Sequence, residues 1–315
     1  MRRRRLLAFA PLAALALVRC ADDAPRATVR VNSPTTAAGS PRPGAGASPT
    51  ELAAPEVVLS SDTAPQGGTI LVSLVGNVTA GSVTFLGRTY ELTKGARSIY
   101  TFVGVATEDS PGPATMTIGF TLGNGSRGSL AQEIVVEPTE WTTDEVTIPE
   151  AVLALLSPAI TADETAQLAG VYAGLTREKL WDGGWLQPSG GPITTRFGEV
   201  RSYNGAPPSG HHSGADIGTP EGIEVVATNG GRIAMARQLR QRGNMVVVDH
   251  GGGLFSGYAH LASFAVAEGQ PIARGQVLGY VGTSGLSTGA HLHWEMCAGG
   301  VLVDAIRFAD GSNGF

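Results

Sequence analysis

The stretch His291-Leu-His-Trp-Glu-Met296 alternates polar and apolar side chains, which is the pattern of a half-buried β-strand. Successive side chains of a strand point to opposite faces, so His291 and His293 project to one face, about 7 Å apart. Leu292 and Trp294 face the other way, into a hydrophobic core. This stretch therefore predicts a β-domain that carries a polar site on one face of a sheet.

The two histidines of this strand leave three interpretations open. They can share a metal ion, one can bind the metal while the other moves a proton, or both can be hydrogen-bonded core residues. Glu295, two residues beyond His293 on the same face, is placed to orient a ligand imidazole. All six histidines of the chain lie between positions 211 and 293, which favours a common site.

A second histidine lies upstream, paired with a carboxylate: His212 and Asp216 are four residues apart. On a straight strand they would lie about 13 Å apart, too far for one ion with bonds of about 2 Å. The segment must therefore bend, and Gly214 is where the backbone can bend most easily. Imidazole and carboxylate together form a ligand set suited to zinc.

The number of ligands decides what such a zinc site does. Four ligands from His212, Asp216, His291 and His293 would make a closed, structural site. Three ligands would leave the fourth position to a water, whose pKa zinc lowers to about 7. Spacing alone does not choose between these counts. His260 supplies a further imidazole that a structural site does not require, which favours catalysis.

Composition divides the rest of the chain and predicts an all-β fold class. The predicted segments are a signal peptide (1–20), a disordered tether (21–55), an immunoglobulin-like β-sandwich (56–138), a linker with a short helix (139–188) and a second, antiparallel β-domain (189–315). The sandwich is predicted from short alternating stretches between Gly- and Pro-rich turns, and it contains no catalytic cluster, so a spacer or docking role is expected.

The N-terminus has the features of an export signal. Four arginines precede a 13-residue apolar core, Leu6–Val18, which is shorter than the about 20 residues of a transmembrane helix. Residues 17–20 resemble the lipobox of bacterial lipoproteins, although Arg19 stands where a small residue is expected. Acylation of Cys20 and its removal both remain open, and either would leave Cys297 unpaired. The protein is expected in the cell envelope or outside the cell.

The overall charge excludes one class of partner. The chain has 27 acidic and 22 basic residues, and its net charge is −5. The five arginines before Cys20 have no acidic counterpart, so a chain that starts at Cys20 would carry −10. An acidic chain without a basic stripe is not expected to bind nucleic acid.

Within the linker, apolar spacing from Asp163 to Leu175 predicts a helix. Trp141, Trp181 and Trp185 flank it and are expected to attach the linker to a neighbouring domain.

Residues 192 to 308 resemble the catalytic domain of lysostaphin/β-lytic type (LytM-like) zinc endopeptidases of bacterial cell walls. The matching motifs occur in the family's order and are Ile193-Thr-Thr-Arg-Phe-Gly198, His212-Ser-Gly-Ala-Asp-Ile217, Asp249-His-Gly251, Tyr258-Ala-His-Leu261, Gly275-Gln-Val-Leu-Gly279 and Ser287-Thr-Gly-Ala-His-Leu-His-Trp-Glu295. One departure is Ala290, where the family commonly has proline. The segment 189–315 is therefore identified as a zinc metallopeptidase domain.

This resemblance implies a role for each residue of the cluster. His212, Asp216 and His293 would bind Zn²⁺, and His291 and His260 would flank the attacking water and the scissile carbonyl. His291 resembles the general base, and His260 would orient the water or stabilise the oxyanion. The implied substrates are the stem peptides and peptide cross-links of peptidoglycan, and the implied activity is that of a peptidoglycan endopeptidase.

Two non-enzymatic functions remain open from the sequence. Some members of the family have lost their metal ligands and only activate other wall hydrolases, so an envelope protein that docks or activates such an enzyme is the first alternative. A metal-dependent wall-binding module is the second. His211 is expected to be a solvated loop residue, and His250 to have a structural or supporting role. Tyr258 is expected either to pack in the core or to donate a hydrogen bond to the oxyanion.

Overall fold

The computed structural model describes residues 29–30 and 53–315. The predicted signal peptide, with Cys20, and most of the predicted tether lie outside the described residues. Among the helices of the described part, none is long and apolar enough to cross a membrane.

The N-terminal unit consists of two five-stranded sheets. Its strands are β1 (Val29–Arg30), β2 (Glu56–Leu59), β3 (Thr63–Pro65), β4 (Thr69–Val75), β5 (Val78–Phe85), β6 (Arg88–Glu91), β7 (Thr93–Lys94), β8 (Ser98–Gly104), β9 (Gly112–Leu122) and β10 (Arg127–Glu137). The sheet orders are β1-β2-β4-β8-β7 and β3-β10-β9-β5-β6. All neighbouring strands are antiparallel except β3 and β10.

The alternation of these strands builds one apolar core between the two sheets. Val57 and Leu59 of β2 in the first sheet and Met116 and Ile118 of β9 in the second belong to the same buried cluster. Side chains at alternate positions reach the same face, so every second residue is buried. The predicted all-β class is confirmed, and the immunoglobulin-type topology of this unit stays a prediction.

The linker contains a short strand and three helical segments. These are β11 (Thr143–Val146), α1 (Glu150–Leu153), a 3-10 helix (Ala154–Leu156) and α2 (Pro158–Tyr172). The predicted bounds of the helix, 163 to 175, were wrong at both ends. Ser157 accepts a hydrogen bond from the backbone N–H of Ile160 at 3.4 Å, and Pro158 occupies the first turn, so the helix begins at its cap.

The C-terminal domain is built on a ten-stranded sheet. Its elements, with the neighbouring strand β13, are β12 (Ile193–Thr195), β13 (Val200–Tyr203), β14 (Ala215–Ile217), β15 (Glu224–Val226), β16 (Gly231–Gln238), β17 (Asn244–Gly251), β18 (Leu254–Phe264), β19 (Pro271–Ile272), β20 (Val277–Val281), β21 (Leu292–Ala298), β22 (Val301–Val303) and α3 (Ile306–Ala309). All strand pairs of the sheet are antiparallel, as predicted. Strand β13 instead pairs in parallel with β11 of the linker.

The two β units are in direct contact through β8. Its side chains Tyr100 and Phe102 are buried in the hydrophobic cluster of the C-terminal domain, where both rings pack on Trp181, at centroid distances of 6.3 and 5.7 Å. A Cβ at Gly104 would lie 2.7 Å from the Val301 Cβ, so the close approach of the two units requires glycine there. The prediction that linker tryptophans attach to a neighbouring domain is confirmed for Trp181.

Candidate metal centre

The order of three adjacent strands brings the candidate residues together. Asp216 of β14 lies opposite His293 of β21, and Ala259 of β18 lies opposite His293 on the other side. His212 precedes β14 on a loop that bends at Gly214, as the spacing predicts. A Cβ at Gly214 would lie 2.4 Å from the carbonyl oxygen of Trp294, so only glycine lets the loop pass this close to β21.

Three donor atoms form a nearly equilateral triangle at this point. His212 Nε2 lies 3.1 Å from Asp216 Oδ1 and 3.0 Å from His293 Nδ1, and His293 Nδ1 lies 2.8 Å from Asp216 Oδ1. All three residues are buried. The structure thus brings together the three residues for which the family resemblance implies a metal-binding role.

Hydrogen bonds on the outer side fix the tautomer of both imidazoles. His212 Nδ1 donates to the carbonyl oxygen of Arg196 at 2.9 Å, and His293 Nε2 donates to Glu295 Oε1 at 3.0 Å. In a neutral imidazole only one nitrogen carries a proton, so the nitrogens that face the triangle hold free electron pairs. Glu295 therefore lies on the metal side of β21, as the alternation predicts.

The carboxylate of Asp216 is also oriented. Its Oδ2 accepts a hydrogen bond from Arg201 Nη2 at 2.8 Å, which leaves Oδ1 for the triangle. Burial acts to raise the pKa of Asp216, but hydrogen bonds from His212 and His293, which the rings can donate when they are protonated, hold it well below its usual range. Asp216 is therefore a carboxylate at neutral pH.

The electrostatics of the two imidazoles differ. Burial lowers the pKa of His212, although its hydrogen bond to Asp216 acts in the other direction. Burial also acts to lower the pKa of His293, but its hydrogen bonds to Asp216 and Glu295 raise it above the ordinary value. A positive charge is therefore favoured where His293 faces Asp216, which is where a metal ion would supply one.

The residues fit a zinc ion. Three electron pairs that meet at 2.8 to 3.1 Å repel one another unless a cation or a proton lies among them. Ligand atoms of a tetrahedral ion with bonds of about 2.0–2.1 Å lie about 3.3 Å apart, close to the observed spacing. Two imidazole nitrogens and one carboxylate oxygen are a ligand set of catalytic zinc sites, in which the fourth position stays open.

Two further histidines line the same site without joining the triangle. The ring of His260 lies 4.8 Å from that of His291 and 5.8 Å from that of His293, and His291 Nε2 lies 3.8 Å from Asp216 Oδ1. His260 Nδ1 donates to the carbonyl oxygen of Ser284 at 2.8 Å, and His291 Nδ1 donates to that of Gly289 at 2.9 Å. In the neutral form of either ring, Nε2 is therefore the nitrogen that can accept a hydrogen bond.

His260 is constrained more tightly than His291. Its backbone has φ +61°, a region that β-strand residues other than glycine rarely enter. Burial, together with the nearby His293 and His291, lowers the pKa of His260 to about 3. His260 is therefore neutral at neutral pH, and its Nε2 can accept a hydrogen bond from water. The same tautomer cannot donate one to an oxyanion, so orientation of water is the better supported of its two implied roles.

The cluster opens into a cleft of about 480 Å³. It is lined by the linker segment 144–148, by the loop 286–291 and by Arg201 and Tyr203 of β13. Arg201 also bonds Asp144 of the linker, with its Nε 3.2 Å from Asp144 Oδ2.

Other predicted candidates lie away from the cluster. His250 is fully buried; its Nδ1 donates to the Gly230 carbonyl at 2.7 Å and its Nε2 lies 2.7 Å from Ser256 Oγ. The hydroxyl of Tyr258 lies 2.8 Å from the same Ser256 Oγ and accepts from the Thr228 N–H, so Tyr258 is a core residue. Burial lowers the pKa of His250 to about 4, which keeps it neutral.

The expectation for His211 was wrong. Its ring packs edge-on against Trp141 at 5.4 Å, and its Nδ1 donates to the Gly198 carbonyl at 2.7 Å. His211 is therefore a partly buried structural residue rather than a solvated one.

Sequence reasoning missed the charged partners of the site. Arg201 bonds Asp216, and Arg242 bonds Glu295 through Nη2 at 2.7 Å. Arg242 also bonds Glu164 of helix α2 at 3.1 Å. The one signal that could have found Arg242 is its place directly before the apolar strand β17, where a charged residue needs a partner.

The fold and the site define an antiparallel β-domain with a buried set of two histidines and an aspartate that could hold a metal ion. Residues 210–305 match the family model described as peptidase family M23, so the chain carries a peptidase M23 domain. This match confirms the resemblance to the lysostaphin type.

Two curated relatives each match part of the chain. The peptidoglycan DD-endopeptidase ShyA of Vibrio cholerae is 38% identical over 96 residues, which are 30% of this chain and 22% of the relative. The murein hydrolase activator NlpD of Salmonella dublin is 31% identical over 125 residues, 39% of this chain and 31% of the relative. The chain thus spans less than a third of the length of either relative.

A solved structure matches over more of the chain. The crystal structure of an M23 peptidase candidate from Pseudomonas aeruginosa covers 79% of this chain and 95% of its own, with a TM-score of 0.58 and 24% identity. This similarity shows a shared fold that extends beyond the M23 domain.

Proposed function

We propose that this protein is a zinc-dependent endopeptidase that hydrolyses the peptide cross-links of bacterial peptidoglycan. The observation that carries the proposal is the triangle of His212, Asp216 and His293 beside two further imidazoles, His260 and His291, whose Nε2 atoms are free acceptors. A site that only held a metal for structure would not need these two. The substrate is proposed from the name of the relative ShyA, a peptidoglycan DD-endopeptidase.

Each residue of the cluster has a role in this proposal. His212, Asp216 and His293 hold the ion, and their outer hydrogen bonds keep the donor atoms aimed at it. When bound, zinc supplies a Lewis acid that lowers the pKa of water to about 7 and polarises a carbonyl. His291, at the open side of the cleft, takes a proton from the attacking water, and His260 Nε2 accepts a hydrogen bond from the same water.

The later steps use the same side chains. Once His291 is protonated, it is the group in the cleft that can return a proton to the leaving amine. Arg201 keeps Asp216 ionised and oriented through both steps, because it bonds the carboxylate oxygen that does not face the other ligands.

We place the protein in the cell envelope or outside the cell, where peptidoglycan is found. The predicted signal peptide supports this, and so do the names of the relatives, which describe peptidoglycan and murein functions. A lipid anchor at Cys20 stays a prediction.

A digestion experiment tests the activity. The purified zinc-loaded protein is incubated with purified sacculi, and the soluble fragments are analysed by mass spectrometry for new amino termini. Cleavage within the stem peptides or their cross-links is expected, and it should stop when a chelator removes the metal and resume when zinc is added back. The absence of new amino termini from every sacculus preparation would contradict the proposal. The fragments also identify the bond that is cut.

A non-catalytic activator of another wall hydrolase is the second candidate, favoured by the similarity to the murein hydrolase activator NlpD. This function predicts no cleavage by the protein alone, but faster cleavage when a partner hydrolase is added. A metal-dependent wall-binding module predicts neither, but predicts sedimentation with sacculi. The complete histidine and aspartate set supports the enzyme over the activator, and the two further imidazoles of His260 and His291 support it over the wall-binding module.

A further inference from the structure

Helix α2 precedes the matched region 210–305, yet it reaches the back of the metal centre through a buried carboxylate. Glu164 is only 2% exposed. Its two oxygens accept hydrogen bonds from the backbone N–H groups of Gln241, at 2.7 Å, and Arg242, at 3.1 Å. A carboxylate buried to this degree is stable only when it is paired, so the position of the helix and that of residues 241–242 depend on each other.

Arg242 carries this link onward to the strand of the metal ligand. Its Nη1 lies 3.1 Å from Glu164 Oε1, while its Nε and Nη2 lie 2.9 and 2.7 Å from Glu295 Oε1. The planar guanidinium thus bridges two buried carboxylates, one on the helix and one on β21. Because the guanidinium is rigid and planar, a shift of either carboxylate is transmitted to the other.

Glu295 connects this pair to His293 directly. Its Oε1 accepts from His293 Nε2 at 3.0 Å and from Ser213 Oγ at 2.8 Å. Its Oε2 accepts from the hydroxyl of Tyr172, at the end of α2, at 3.2 Å. Both oxygens of the carboxylate that fixes the His293 tautomer are therefore bound by groups that α2 supplies or holds.

The helix itself is fixed against the sheet. Leu168 and Tyr172 are buried in a cluster with Phe255 and Met235, and the rings of Tyr172 and Phe255 lie 5.5 Å apart. The helix is thus a packed element of the C-terminal domain, although the residues between it and the matched region have little regular structure.

The charges of this network favour a cation on the far side of His293. Glu164 and Glu295 together carry two negative charges, and Arg242 carries one positive charge. The excess negative charge lies on the Nε2 side of His293. It makes Nδ1 a stronger electron-pair donor to a metal ion, as carboxylates bonded to ligand histidines do in metal sites. Without the charge of Glu164, Arg242 would neutralise Glu295 and remove this effect.

We propose that Glu164 and Tyr172 of helix α2 are positioning residues for the metal ligand His293, which they control through Arg242 and Glu295. The helix in the linker is then part of the zinc site, and residues 210–305 alone do not contain the whole site. This inference rests on the proposed function, because it requires zinc at the triangle.

The test is the zinc dissociation constant of the full chain, measured by competition with a chromophoric chelator. Glu164→Gln removes the charge and turns one acceptor into a donor, and it should weaken zinc binding by about 10- to 100-fold. Tyr172→Phe removes one hydrogen bond to the Glu295 carboxylate and should weaken zinc binding by about fivefold. The matched control is Asp163→Asn, one residue from Glu164 but exposed and bonded only to Gln167, which should leave the constant unchanged.

A second measurement separates positioning from folding. Every titration is done at a temperature at which circular dichroism shows the metal-free variant folded, so a purely structural role would leave the zinc constant unchanged. The visible absorption of the cobalt-substituted protein should also shift in Glu164→Gln, because the donor strength of His293 changes. If Glu164→Gln does not fold, the zinc dissociation constant of Tyr172→Phe tests the proposal instead.

The outcomes separate the two proposals. Zinc constants within twofold of wild type for both variants would overturn the inference and leave the proposed function standing. A wild-type chain that binds no zinc would overturn both.

Discussion

The two β units of this protein are both built mainly from antiparallel β-strands, but they bury very different side chains. Within the described residues 53–137, the buried polar side chains are four threonines, namely Thr69, Thr93, Thr101 and Thr107. The C-terminal domain instead buries ionisable groups in and around its cleft, namely His212, Asp216, His260, His293 and Glu295. The sandwich thus has an ordinary apolar core, and the second domain has a core interrupted by charge.

This difference shows that folding alone does not explain the buried residues of the C-terminal domain. A buried charge costs several kcal/mol unless partners satisfy it, and even a paired one rarely adds stability over an apolar residue. The C-terminal domain supplies those partners from distant parts of the chain, with Arg201 bonding Asp216 and Arg242 bonding Glu295. The burial of these charges is explained by a ligand that interacts with them. The apolar core of the sandwich is explained by folding alone.

The largest effect is expected at the ligand that all parts of the site share. His293→Ala removes one of three donor atoms, so zinc content should fall far below one ion per chain and peptide cleavage to background. Elemental analysis of the dialysed protein measures the first, and the sacculus digestion measures the second. Full zinc occupancy in this variant would contradict the ligand assignment.

The next effect should separate proton transfer from metal binding within the same cleft. His291→Ala should keep its zinc and lose about 10²- to 10⁴-fold in turnover, the usual contribution of a general base. Zinc analysis and cleavage rates on the same preparation test this. Either unchanged activity or loss of the metal would reject the role of His291.

A change in the sandwich core should affect stability alone. Phe85 is 1% exposed, and Phe85→Ala should lower the free energy of unfolding by about 3–5 kcal/mol through lost burial and a cavity. Denaturant unfolding measures this, and zinc content should stay at the wild-type value. Val135→Ala, at a residue 39% exposed on β10, is the control that should change stability little. A loss of zinc from Phe85→Ala would contradict the proposal that the sandwich core contributes to stability alone.

The smallest effect concerns a buried histidine outside the cleft. The pKa of His250 is about 4 in the folded chain, below the ordinary 6.5, so folding favours the neutral ring. The stability that this contributes is present above pH 6.5 and is lost as the pH falls towards 4, by up to about 1.4 kcal/mol per pH unit. Unfolding free energies across this range should fall more steeply for wild type than for His250→Gln. Equal slopes would contradict the shift.

The alternation of single strands predicted much of this architecture. Leu292 and Trp294 are fully buried in the core, and His293 and Glu295 lie together on the other face of the strand, as their positions predict. The antiparallel C-terminal sheet was also predictable, because glycine-rich turns separate its strands. The beginning of α2 was missed although Ser157 and Pro158 provide a start signal for a helix.

The charged supports of the site could not be predicted in the same way. Glu164 and Arg242 are 78 residues apart, and although Glu164 has helical spacing with Leu168 and Tyr172, nothing in the sequence indicates that Arg242 is its partner. A charged side chain in a sequence is usually exposed, and only the packing of α2 on the sheet buries this pair. Local pattern therefore indicated the proposed ligands, whereas the groups that hold them in place depend on long-range structure.

The separation of the proposed metal ligands along the chain has a consequence for folding. His212 and His293 are 81 residues apart, so closing this contact is slow in comparison with forming a hairpin. A growing chain that ends before His293 holds two of the three donor atoms and lacks β21, the strand between β14 and β18. Assembly of the centre must then be among the last events of folding, and the chain cannot bind the ion through all three groups until nearly the whole C-terminal domain has been made.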